Sequence, residues 1–308
     1  MTPMHRRAFL ALLAAGVTPP PPAAAQPAGR VHRLGILAPT APPSSSEQNT
    51  AVILIPKALR EMGYAPGRDL VVDVRYAEGR LDRLPALARE LVRLRMDVIV
   101  AISASAALAV KAATTTIPIV LYGNLDPVAA GLVKSLAKPE SNITGVLIAP
   151  AGTLAAKKLE ILKEAVPGAT RIAFLAPPDP GIKLQVQETQ QAAATLGIKL
   201  AIFVGAHTFF VRDRKRIIAL AATHRLPAMY EWPTHVEDGG LMSYGSSLAG
   251  TTRRVAVYVD RLFKGARPGD LPVEQPAEFQ LVINLKTARA LGLTLPPSLV
   301  ARADRIIE

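Results

Sequence analysis

The chain has 308 residues, half of them hydrophobic and 19% charged, with no cysteine and a formal net charge of +12. That balance excludes a disordered chain, and the missing cysteines exclude disulfides, thiolate metal sites and a lipid-modified N-terminal cysteine. The excess of basic residues reads as a surface property rather than a nucleic-acid footprint, because its one dense run is "RDRKR" (Arg212 to Arg216), aromatics are 5%, and no basic helix carries interleaved stacking residues.

The first element is an export signal. "MHRRAFLALLAAGV" gives a basic pair, Arg6 and Arg7, then an apolar stretch too short to span a bilayer, and the small residues Ala23 to Ala25 offer a cleavage site before Gln26. Residues 1–25 are therefore expected to be a signal peptide, of the general secretory or the twin-arginine type, since Arg6-Arg7-Ala8-Phe9-Leu10 resembles the latter. No later stretch reaches the length of a membrane span. The mature chain is expected to be soluble in the periplasm, with a net charge of +10 once those two arginines are gone.

From Arg30 onward short β-type runs alternate with longer helical ones. "RLGILAP" is a strand ending at Pro39, "AVILIPKALREMGY" ends in a helical register, and "DLVVDVRYAEG" alternates as a strand. "DRLPALARELVRLR" is a helix, "MDVIVAIS" a buried strand, "ASAALAVKAAT" a helix and "IPIVLYG" a strand. Strands separated by helices imply βαβ units with parallel sheets. The second half repeats the theme, and "AATTTIPIVLYGNLDPVAAGLV" (Ala112 to Val133) aligns without gaps with "AATHRLPAMYEWPTHVEDGGLM" (Ala221 to Met242) at a constant offset of 109. Two similar α/β lobes follow, each with a helix, a proline-started strand and a polar loop after the strand.

In such sheets ligands bind beyond the carboxyl ends of the strands. Asp126 lies in one such loop, where it is a candidate for a ligand's ammonium or hydroxyl groups and equally for capping the turn from Pro127. Ser103 and Ser105 stand where a strand becomes a helix, suited to receive an anion or to cap the helix. Asn142 and Thr144 precede a strand at an expected crossing between lobes. The only tryptophan, Trp232, and Tyr244 lie in the partner segment, as stacking surfaces for a flat ligand or as core. No glycine-rich dinucleotide or phosphate loop and no Gly-x-Ser-x-Gly elbow is present, and His207, His224 and His235 are spaced for no usual metal motif. No cofactor, metal or catalytic residue is expected.

These stretches resemble a known family, the periplasmic substrate-binding proteins of ABC transporters that include tryptophan- and tyrosine-binding members. The resemblance runs from about Arg33 to the end and is carried by "REMGYAPGRDLVVDVRYAEGRLDRLPALARELVRLRMDVIVA", "IPIVLYGNLDPVAAGLVKSLAKPESNITGV", "HRLPAMY", "GGLMSYG" and the stretch from "YVDRLFKGARPGD" onward. It implies an α/β protein with two Rossmann-like lobes, a type I-like clamshell with parallel sheets and crossing strands. Lobe 1 is expected over 30–145 plus 240–270, and lobe 2 over 146–239 plus 271–308. It further implies a small-molecule ligand in the cleft and an ABC permease as partner; on its composition the chain is expected to bind no nucleic acid, and it is expected to be a monomer. Onto the family's cleft map Pro39, Thr40, Ser103, Ser105, Asp126, Asn142, Thr144, Trp232 and Tyr244.

One departure stands out: Leu200 runs straight into Ala201-Ile202-Phe203 where the family has a further loop, helix and strand. The second lobe is thus expected to lack one βα unit, two strands merging into one. The function this implies is capture of a small polar or aromatic metabolite, an amino acid or an aromatic acid, and its delivery to the permease. The alternatives are a ligand-sensing clamshell in signalling and a degenerate member that no longer binds.

Overall fold

The computed structural model describes residues 30–44, 50–149, 154–169, 173–176, 183–197, 203–204 and 207–308. The expected signal, residues 1–25, and the junction at Leu200 lie outside the described residues. The chain divides into two units, Met1–Val31 and His32–Glu308, and every described helix and strand belongs to the second.

The first lobe is built from β1 (His32–Ala38), α1 (Ala51–Glu61), β2 (Leu70–Tyr76), α2 (Leu84–Arg93), β3 (Val98–Ile102), α3 (Ala104–Ala113), β4 (Ile119–Gly123) and β5 (Ile143–Leu147). Its strands form one parallel sheet in the order β2-β1-β3-β4-β5. Successive strand residues point to opposite faces, so both faces need apolar cover. Leu34, Ile36, Val98, Val100 and Val120 pack against α1 and a late helix, α9 (Leu248–Phe263), while Leu37, Ile99, Ala101, Ile119 and Leu121 pack against α2 and α3. Each such side chain contributes about 1.5–3 kcal/mol on burial, which is why these strands read as unbroken apolar runs.

The second lobe contains α4 (Leu154–Ala165), β6 (Phe174–Leu175), α5 (Lys183–Thr195), β7 (Phe203–Val204), α6 (Thr208–Arg212), α7 (Arg214–Thr223), β8 (Met229–Tyr230), α8 (Pro233–Glu237) and β9 (Met242–Gly245). After α9 the chain returns to it with β10 (Gln280–Asn284), α10 (Leu285–Ala290), α11 (Pro297–Ala301) and β11 (Arg305–Ile307). The sheet order is β11-β10-β9-β8-β7-β6, parallel from β6 to β9, whereas β10 joins β9 antiparallel because it re-enters the lobe from the other direction. Segment 240–270, expected in lobe 1, therefore divides: β9 is hydrogen-bonded into the second sheet, and α9 packs on α1 and the first sheet.

The two sheets differ in one unit. In the first, β1 lies between β2 and β3; in the second, β6 has β7 on one side and, among the described residues, no strand on the other. The offset of 109 sets α7 and β8 against α3 and β4, so β7, flanked by β6 and β8, takes the place of β3. Counterparts of β2 and α2 are absent among the described residues.

The lobes are tied where the chain crosses between them. Residues 273–274 run alongside β5, with Glu274 N–H donating to the Gly145 carbonyl at 2.9 Å and Leu147 N–H to the Glu274 carbonyl at 2.8 Å. The Ser246 hydroxyl donates to the Ile148 carbonyl at 2.7 Å, joining the crossing after β9 to the one after β5.

Candidate functional site

The carboxyl ends of β1, β3, β4 and β5 open toward the second lobe, where Val211 and Arg212 of α6, Trp232 after β8 and Leu248 at the start of α9 meet them. These groups enclose a cavity of about 30 Å³, whose first-lobe wall includes Ala38, Thr40, Thr50, Ile102, Tyr122 and Ile148. A cavity of that size has room for water but is small for a metabolite.

The chain fixes each wall locally. Thr40 is held in place by its carbonyl, which accepts from Glu78 N–H at 3.1 Å, and Pro39 by its own, which accepts from Gly79 at 2.8 Å. Ser103 adjoins Ile102; its hydroxyl accepts from Ala106 N–H at 3.3 Å, capping α3, and its φ of 101° lies in the left-handed region that non-glycine residues avoid. Tyr122, fully buried, hydrogen-bonds the Thr251 hydroxyl at 3.0 Å. Burial raises its phenol well above the ordinary value, the nearby Glu231 carboxylate pushing the same way. Thr50 stands at the N-cap of α1 without capping it, and its hydroxyl is buried with no partner. Trp232 is 1% exposed, and its Nε1–H is buried with no partner as well.

Behind this wall the second lobe carries a buried ion pair, the Lys158 ammonium of α4 donating to the Glu231 carboxylate, each side chain 1% exposed. Removal from water pushes Glu231 up and Lys158 down, and the attraction between them opposes both shifts. His235, the counterpart of Asp126 at the offset of 109, is stacked against Tyr230 at 5.0 Å and Trp232 at 6.0 Å. Burial lowers its pKa to about 4, so the ring is neutral at pH 7.

The structure brings Thr40 and Trp232 together on the cavity wall, with Pro39 and Ser103 adjoining. Ser105, half-buried in the first turn of α3, and Asp126 lie off the lining. One Asp126 oxygen accepts from Val128 N–H at 2.9 Å and Ala129 N–H at 3.0 Å, so the carboxylate caps its own turn. Asn142 lies at the opposite, amino-terminal end of β5, donating to the carbonyls of Ile117 at 2.9 Å and Thr114 at 3.3 Å. Thr144 is fully buried with its hydroxyl on the Leu271 carbonyl at 2.8 Å, and Tyr244 leans on Phe279 at 6.0 Å in the second lobe. Sequence reading misses Thr50, Tyr122, Val211 and Leu248. Of these only Thr50 carries a usable signal, a threonine directly before a helical run.

Comparison with known proteins places this architecture. A family model described as ABC transporter substrate binding protein matches residues 43–209 and 200–307, and the shared stretch, 200–209, begins where the missing unit would stand. A tyrosine-binding protein of Clostridioides difficile (strain R20291) is 27% identical over 262 residues, covering 77% of this chain and 75% of that protein. A conserved domain protein from Vibrio cholerae has a similar solved structure, with a TM-score of 0.79, 26% identity and coverage of 90% of this chain and 100% of the other. The ABC domain from Streptococcus pneumonia in complex with L-Trp gives a TM-score of 0.78 at 24% identity, with the same coverage. Matched by the family's model over most of its length, the chain belongs to the ABC transporter substrate binding protein family.

Proposed function

We propose that the protein is an exported solute-binding protein, working in the periplasm as a monomer, that captures a small polar or aromatic metabolite between its lobes and hands it to an ABC permease. The observation that carries this reading is the cleft itself: its walls come from both lobes, at the carboxyl ends of strands, and the lobes are joined by short crossings. A ligand touching both walls favours the closed state over the open one, the differential binding a permease needs in order to recognise a loaded protein. Membership of the family supports the reading, and the relatives' names, with tyrosine in one and L-Trp in the other, make amino acids and other aromatic compounds the first candidates. No helix among the described residues is long and apolar enough to cross a membrane. The reading assigns binding to the cleft and no chemical step.

The cavity volume of about 30 Å³ and the lack, among the described residues, of counterparts to β2 and α2 in the second lobe favour a second reading, a family member that no longer binds. A thermal melt of the purified full chain separates the two. With a panel of amino acids, aromatic acids, sugars and purines present well above micromolar concentrations, one chemical class raises the melting temperature by several degrees if the cleft binds. Cells with and without the gene then differ in uptake of that compound. A melt indifferent to the whole panel overturns the transport reading.

A further inference from the structure

The cleft holds two unsatisfied polar groups, one from each lobe. Thr50 Oγ1 belongs to the first lobe and Trp232 Nε1 to the second; both residues line the same cavity, and both atoms are buried without a hydrogen-bond partner among the described residues. The indole N–H can only donate, and leaving it unpaired away from water is destabilising. Thr50 adds a hydroxyl at the N-terminus of α1, an 11-residue helix whose first N–H groups favour negative charge. Apart from Thr40, Tyr122 and Arg212 the remaining described lining is apolar, and among the described residues its one charged side chain is a cation, Arg212, engaged by Asp213 at 2.7 and 2.9 Å. Among the described residues no carboxylate lines the cavity: Asp126 caps its own turn and Glu231 is bound to Lys158.

We infer that the cleft takes a monocarboxylate with an apolar or aromatic body, its carboxylate received by Trp232 Nε1–H from one lobe and the Thr50 hydroxyl from the other. The inference rests on the binding reading above and narrows its ligand class. An amino acid's ammonium would meet no counter-ion among the described lining residues, so its desolvation would go uncompensated by them. A carboxylate offers two acceptor oxygens, one for each of these groups. Because those groups sit on opposite lobes, the ligand itself links closure to its charge. The ligand enters when the lobes part, with Val211 and Trp232 drawn back from the first-lobe wall.

Trp232 is the only tryptophan, so its emission reports on this site alone. Three probes share one ring and differ in charge: phenylacetate, phenethylamine and L-phenylalanine. With the purified full chain, phenylacetate is expected to raise the melting temperature and shift the Trp232 emission. Phenethylamine should do neither, and L-phenylalanine should bind at least about tenfold more weakly. Removing one donor, by Thr50→Val followed by fluorescence or by Trp232→Phe followed by melting, should weaken phenylacetate about tenfold, the worth of one charge-assisted hydrogen bond. Should Trp232→Phe not fold, Thr50→Val decides alone. Stabilisation by L-phenylalanine, a sugar or a purine without phenylacetate overturns the ligand class and leaves the binding reading standing. Phenylacetate binding that ignores the substitutions overturns the assigned donors. Silence from every compound overturns the binding reading, and this inference falls with it.

Discussion

Lys158 and Glu231 are 73 positions apart in sequence and meet in the second lobe with both side chains almost fully buried. Two charges taken out of water are costly to hold, but a single one left behind costs more, about 3–5 kcal/mol. Lys158→Met should therefore lower the melting temperature by roughly 10 °C, whereas Lys158→Met/Glu231→Gln, which removes both charges, should recover most of the loss. A double variant no more stable than the single one would mean that the pair is not what anchors Glu231. Nothing in the sequence announces this contact, because Lys158 lies in a helix whose neighbours Lys157 and Glu160 are exposed and because pairing over such a distance depends on the fold. The same limit explains Asn142, Thr144 and Tyr244. Their residue types suit a binding site, but which end of a strand a polar group occupies is decided by topology, and none of the three is on the cavity lining: Thr144 is buried, and Asn142 and Tyr244 are half-buried elsewhere.

At the scale of elements more was legible. The alternation of apolar runs and helical periods locates the strands of the first sheet, and the repeat at offset 109 correctly pairs α3 and β4 with α7 and β8. What it does not reveal is how tightly β4, β5 and the returning crossing are laid together. Gly145 of β5 faces Leu121 of β4, and a Cβ there would run into the Leu121 carbonyl and lie 2.8 Å from its nitrogen. Its own carbonyl also receives Glu274 N–H from the crossing. Gly145→Ala should cost about 1–3 kcal/mol by overpacking, since neither backbone can retreat without breaking the ladder. Gly168, with nothing near its Cβ position, is the control, and Gly168→Ala should stay within about 0.5 kcal/mol of the parent. Equal denaturation midpoints for the two variants would show that β5 can shift away from β4 at little cost.

For the molecule as a whole, the lobes are unequal: among the described residues the second has no counterpart of β2 and α2. The first sheet closes β1 between two neighbours and keeps β3 and β4 buried along their full five-residue lengths. The second ends at β6, two residues long, with Leu175 exposed and one ladder partner, itself a two-residue strand, among the described residues. An edge that short offers few buried contacts and few shielded hydrogen bonds, the features that set the free energy of local opening. Amide hydrogen exchange of the full chain should therefore show β3 and β4 protected close to the level of global unfolding, and β6 exchanging at least about a hundredfold faster. A ligand that bridges the cleft contacts α1, α6 and the end of β8 but not β6, so saturating ligand should slow exchange around Trp232 and leave the β6 edge as it was. Equal protection of β6 and β3 would mean that another part of the molecule covers the edge. That result would also remove the physical ground for treating the second lobe as the weaker one.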